Sequence, residues 1–131
     1  MPTQPKAGAV LFAKDVARLA AFYAQVLAVV PKHAESEKVV IEAQDFLLVI
    51  HAIPPAVAAN VQIATPPVLR EAVPIKLFLP VRSLAQARIG AQALGGGVKP
   101  AEAEWSAADF RACDGFDPEG NVVQFREALT H

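Results

Sequence analysis

The chain has 131 residues, 53% of them hydrophobic, which is enough for one packed core and too short for two large domains. Its 12 Lys+Arg nearly balance 13 Asp+Glu, for a formal net charge of -1 with charged residues at 19%. That balance, with no basic run, argues against an electrostatic grip on nucleic acid or on an anionic membrane. The apolar run Phe46 to Ile50 falls far short of the roughly 20 residues that span a bilayer. The opening Met1 to Lys6 has no charged start leading into an apolar stretch and a cleavage site, so no secretory leader is visible. A soluble, cytoplasmic protein with small-molecule or protein partners is the expectation. The single cysteine, Cys113, excludes an intrachain disulfide and any Cys-x-x-Cys motif.

Along the chain, Ala9 to Ala13 reads as a short strand, and Lys14-Asp15 interrupts it with a helix-capping residue. Val16, Leu19, Ala20, Tyr23 and Leu27 then repeat at the spacing of one buried helical stripe, with Arg18 and Gln25 on the opposite face. Pro31 ends that helix, because proline has no N–H to continue it. Strands come next at about 32–34, 38–42 and 46–52, with Ser36-Glu37 and Gln44-Asp45 as turns. Residues 54–74 carry five prolines (Pro54, Pro55, Pro66, Pro67 and Pro74) and read as a connector with one short strand at 61–63. The opening pattern then returns: a strand at 75–81, a cap at Ser83, and a helix with Leu84, Ala87, Ala91 and Leu94 buried. Gly95-Gly96-Gly97 stops it, since glycine accepts the left-handed conformation that closes a helix. The remaining strands fall near Val98, over 110–113 and over 121–126.

Placing the caps Asp15 and Ser83 in register gives an offset of 83 − 15 = 68. Val16 then falls on Leu84, Leu19 on Ala87, Tyr23 on Ala91 and Val26 on Leu94, so the stripes superpose without a gap. Each half is a strand, a helix and three strands. Strands that are apolar on both sides leave a second sheet face after the helix has covered the first. Two such halves can curl into a shared cup, a natural small-molecule pocket. The expected organisation is a single domain over 7–128, with repeats at about 7–53 and 75–128 and the connector 54–74 between them.

Two stretches carry a family resemblance. Lys14-Asp-Val-Ala-Arg-Leu-Ala-Ala-Phe-Tyr-Ala-Gln-Val-Leu27, with its Phe-Tyr pair, resembles the opening helix of the vicinal oxygen chelate superfamily, the glyoxalase, bleomycin-resistance and extradiol-dioxygenase group. Asp117-Pro-Glu-Gly-Asn121 with Val-Val-Gln-Phe-Arg126 resembles its last turn and strand. That turn makes sense by itself, since Pro118 presets it, Gly120 accepts a positive φ, and Asp117 and Asn121 bond nearby backbone. The resemblance implies an α+β fold of two βαβββ repeats forming a cupped mixed sheet. One departure is Ala28, where the family usually has glycine.

The resemblance also implies a divalent metal held from the first, fourth, fifth and eighth strands. Those positions fall on Gly8, His51, Lys76 and Gln124. Gly8 has no side chain, Lys76 would repel a cation, and Gln124 offers only an amide oxygen, so three good ligands are lacking. No cofactor is therefore expected, although a divalent metal at a non-standard site stays open. An imidazole, an ammonium and an amide in one cup suit a carboxylate, phosphate or enolate. Lysine at a strand end is equally compatible with an ammonium in water, and His51 with a satisfied core position or the pocket rim.

Phe12 and Phe78 share the strand phase of Gly8 and Lys76 and are candidates to face the cup, with core packing as the alternative. Trp105 reads as part of a loop over the pocket mouth. Arg111 can meet a ligand carboxylate, or else Asp109 or Asp114. Cys113 lacks any evident base and reads as an inert buried thiol. No nucleophile elbow or phosphate loop is present. The leading expectation is a metal-free member that binds a small anionic or aromatic molecule, as bleomycin-resistance proteins sequester a drug, and that pairs as a homodimer. The alternatives are an enzyme, lyase-like or dioxygenase-like, or metal-free with Lys76 or His51 moving a proton, and a structural dimerisation domain.

Overall fold

The structure, a computed structural model, describes residues 4–129. Met1 to Thr3 of the opening segment lie outside the described residues. The first half consists of β1 (Gly8–Ala13), α1 (Val16–Leu27), β2 (His33–Ala34), β3 (Lys38–Glu42) and β4 (Leu47–Ala52). A one-turn helix, α2 (Pro55–Ala58), comes after it. The second half is β5 (Phe78–Val81), α3 (Leu84–Ala93), β6 (Gly97–Val98), β7 (Trp105–Ser106), β8 (Phe110–Phe116) and β9 (Val122–Ala128). Strand order is β1-β4-β3-β2 in one sheet and β5-β9-β8-β6 in the other, with β7 also on β8. In each sheet the strand before the helix runs parallel to the last strand of its half, β1 to β4 and β5 to β9, and the other pairings are antiparallel. The fold is α+β, two βαβββ repeats, the second with the two-residue β7 as an additional strand on β8, and their helices pack on each other.

The repeat offset holds at the level of hydrogen bonds. The Asp15 carboxylate accepts from Arg18 N at 3.1 Å, and Ser83 Oγ accepts from Gln86 N at 3.2 Å, so both helices start with the same cap three residues from its donor. Val16, Leu19, Tyr23 and Val26 are buried, and so are Leu84, Ala87 and Ala91. Phe22, outside that stripe, is also fully buried, because α1 packs both on its own sheet and on α3. Its ring lies where a Cβ on Gly96 would stand 2.4 Å away, so the glycine run that ends α3 also admits the first helix.

Three expectations change. Residues 61–63 form no strand; the regular piece of the connector is α2, which Pro54 and Pro55 start by presetting φ at its first turn. The strand expected from 75 begins at Phe78, although Leu77 O already accepts from Gln124 N at 2.9 Å. Trp105 is not on a free loop, because β7 holds it against Ala112 of β8. Ala28 takes the αL conformation at the end of α1 (φ 55°), the backbone that the family's usual glycine would accept without strain. No helix among the described residues is long and apolar enough to cross a membrane.

The closing turn is tied to the opening helix. Glu119 accepts from Lys14 N at 2.9 Å and from Asp15 N at 2.8 Å, and the buried Asp117 carboxylate accepts from Tyr23 Oη at 2.7 Å. Asp117 also accepts from the backbone of Glu119 and Asn121 and from the Asn121 side chain, so both of its buried oxygens are hydrogen-bonded. Burial raises the Asp117 carboxyl above its usual range, against the pull of those donors, and raises the Tyr23 phenol.

Candidate functional site

Alternation along the strands assigns each candidate to a sheet face. In β1, Val10 and Phe12 are 53% and 56% exposed while Ala13 is buried, so Gly8, Val10 and Phe12 share the face away from the helices. In the second half Phe78 pairs with Gln124, and Gln124 with Asp114. One row further on, Pro80 pairs with Arg126, Arg126 with Ala112, and Ala112 with Trp105. Paired residues share a face, so Lys76, Phe78, Gln124, Arg126, Asp114, Phe110 and Trp105 all belong to the face away from the helices.

On that face the polar groups form one chain. Lys76 Nζ donates to Asp114 Oδ2 at 2.7 Å, Gln124 Nε2 donates to Asp114 Oδ1 at 3.4 Å, and Arg126 Nε donates to Gln124 Oε1 at 2.8 Å. The Arg126 guanidinium carbon lies 3.7 Å from the centroid of the Phe78 ring and 4.2 Å from that of Phe110, within cation–π range of both. Trp105 meets Phe110 edge-on at 5.6 Å. A cavity of about 310 Å³ opens beside the Lys76 end, lined among others by Arg70, Lys99, Asp114, Phe116 and Val122. Two members of the polar chain, Asp114 and Arg126, escape a reading of the sequence for site residues, in which Asp114 is only a partner for Arg111 and Arg126 only the end of a motif. The signal that could have found them is strand phase, since Asp114 and Arg126 alternate in step with Gln124.

The remaining candidates lie elsewhere. His51 is on β4, opposite Phe12, whose ring is 6.0 Å away and edge-on; its Nδ1 is 2.8 Å from Ala52 O. Among the described residues no hydrogen bond, ion pair or ring contact joins that pair to the Lys76–Arg126 chain. The pairing register also separates His51 from Gln124 as repeat counterparts. Gln124 pairs with Phe78, 78 − 68 = 10, and Val10 pairs with Val49. His51 pairs with Phe12, 12 + 68 = 80, and Pro80 pairs with Arg126. The first-half counterpart of Gln124 is thus apolar. Arg111 is out of phase with Asp114, on the helix side, and its guanidinium approaches Glu104 at 4.0 Å. Cys113 is fully buried, and burial pushes its thiol pKa up, the opposite of what a nucleophile needs.

The donor set does not fit a divalent ion in the expected position. Among the described residues no three His, Cys, Asp or Glu side chains gather as a metal-holding group. The one amide oxygen that could coordinate, on Gln124, already accepts from Arg126, both oxygens of Asp114 are engaged, and two cations flank them.

Comparison with known proteins agrees with the fold. No family model matches the chain, and no curated protein matches it. Solved structures do. A glyoxalase/bleomycin resistance protein/dioxygenase family enzyme from Burkholderia phytofirmans PsJN superposes with a TM-score of 0.66 at 16% identity, covering 94% of this chain and 98% of that one. A glyoxalase/bleomycin resistance protein from Albidiferax ferrireducens T118 gives 0.64 at 16% identity, covering 92% and 96%. A point mutant of the fosfomycin resistance protein FosX from Listeria monocytogenes, complexed with Mn(II) and 1S,2S-dihydroxypropylphosphonic acid, gives 0.63 at 14%, covering 98% and 93%. The chain therefore has the glyoxalase/bleomycin-resistance fold.

Proposed function

We propose that the protein binds a small anionic or aromatic molecule on the cup face of its second half, without the metal that this fold often holds. The observation that carries this reading is the chain Lys76–Asp114–Gln124–Arg126: it ties up the oxygens a metal would need and combines two cations with one carboxylate. A surplus of positive charge beside exposed rings, with Phe78 at 60% and Trp105 at 46% exposure, suits an anion with an apolar body. A lone, buried thiol at Cys113 accords with a cytoplasmic setting.

The test is elemental analysis of protein purified without chelator, before and after incubation with nickel, zinc, iron and manganese, and then thermal unfolding with candidate anions with and without EDTA. Ligand-dependent stabilisation that survives EDTA supports the proposal. A stoichiometric metal would favour the second reading, a metal-assisted enzyme, for which the Mn(II)-bound FosX neighbour speaks. We further propose that a second copy of the chain covers the exposed Val10 and Phe12 of the first half. Analytical ultracentrifugation should then show a dimer that Phe12→Glu weakens.

A further inference from the structure

Resting on the cup-face reading, we infer that Arg126 is the group that selects the ligand, and that the ligand class is a flat aromatic carboxylate. Of the two cations in the polar chain, one carries no carboxylate partner. Lys76, the cation prominent in the sequence, is held in an ion pair with Asp114 at 2.7 Å. Arg126 has no carboxylate within ion-pair distance among the described residues. Its Nε is spent on Gln124, and no acceptor among the described residues takes the four N–H donors of its two Nη groups.

Two constraints hold that guanidinium in place. Phe78 and Phe110 lie against it at 3.7 and 4.2 Å, and the Gln124 amide fixes its Nε edge. Gln124 is itself oriented, because its Nε2 donates to Asp114 and only its oxygen can then face Arg126. A guanidinium whose torsions are already restricted gives up little entropy on binding, and its paired Nη groups match the two oxygens of a carboxylate. Lysine could not offer that fork.

The same rows define the apolar half of the ligand. Phe78 is exposed beside the guanidinium, and Trp105, edge-on to Phe110, is exposed at the far side of β8. A planar ring attached to the carboxylate could rest on either surface while its charge meets Arg126, whereas a small aliphatic acid would gain only the charge. The Arg70 and Lys99 side chains line the cavity at the Lys76 end, and they can attract any anion to the region without distinguishing flat from aliphatic ones.

The test uses the full chain with benzoate, benzyl alcohol and acetate as probes, read by calorimetry and by fluorescence of Trp105, the sole tryptophan. Benzoate should bind saturably, and benzyl alcohol and acetate each roughly tenfold or more weakly. Arg126→Gln should lose about tenfold to a hundredfold for benzoate while leaving benzyl alcohol unchanged. Arg126→Lys, which keeps the charge but not the fork, should fall between and serves if the glutamine variant folds poorly. Equal benzoate affinity in wild type and Arg126→Lys, or benzyl alcohol binding as well as benzoate, overturns the role of Arg126 and leaves binding on the cup face standing. Saturable binding of none of the three probes overturns both.

Discussion

At the residue scale, the cup face shows how one neighbour changes what a side chain can do. Lys76 alone would be an anion receptor; beside Asp114 it is chiefly that carboxylate's counter-charge. Lys76→Ala should therefore weaken benzoate binding mainly by uncovering Asp114, and Lys76→Ala combined with Asp114→Asn should recover most of the loss. Calorimetry on the four members of this double-mutant cycle checks that coupling. Asp117 offers a pH test. Its folded pKa is raised by burial, so the folded state favours the protonated acid. The associated stability is fully present below the unfolded value of about 4 and is lost as pH rises through the folded pKa. Urea midpoints should accordingly fall more steeply in the wild type than in Asp117→Asn as pH rises above the ordinary carboxylate range. Matching slopes would mean that the donors around Asp117 offset its desolvation.

At the element scale, the helices were the most legible parts of the sequence, because caps and a 3.6-residue stripe are local signals. Asp15 and Ser83 mark both starts, and the offset between them holds in the bonds they make. The strand set was also readable, with Lys38–Glu42 recovered residue for residue. The connector was not, since prolines announce a break without specifying the next element, and Trp105 was missed as a strand residue because two-residue strands have no period to detect. Two substitutions test the helix ends. Ala28→Gly should stabilise by up to about 1 kcal/mol, as relief of the αL strain outweighs the added freedom of the unfolded chain. Glu119→Ala should cost about 2 kcal/mol by leaving Lys14 N and Asp15 N without their carboxylate. Chemical denaturation of both variants measures the two effects, and an unchanged midpoint in either would show that water or local relaxation compensates.

At the scale of the whole molecule, the fold was legible because the repeat and the family motifs rest on different residues and agree. The candidate site was legible only in part. Strand phase placed Phe78 with Lys76 and the family resemblance added Gln124, but which residues share a row depends on the pairing register, and that is set by strand pairs far apart in the chain. His51 shows the gap: the family resemblance gave it the same role as Gln124, whereas pairing puts it opposite Phe12 and makes it the counterpart of Arg126. The register also brings in Asp114 and Arg126, the residues that give the cup face its anion chemistry. The bonds from Glu119 and Asp117 to the first helix have a different consequence, for the order of assembly during synthesis. The backbone N–H groups of Lys14 and Asp15, just ahead of α1, and the Tyr23 hydroxyl find their partners only after a turn about one hundred residues later has been made. A ribosome that has released only the first half would thus present an incompletely satisfied helix, and the native state should be reached late, when the last hairpin closes.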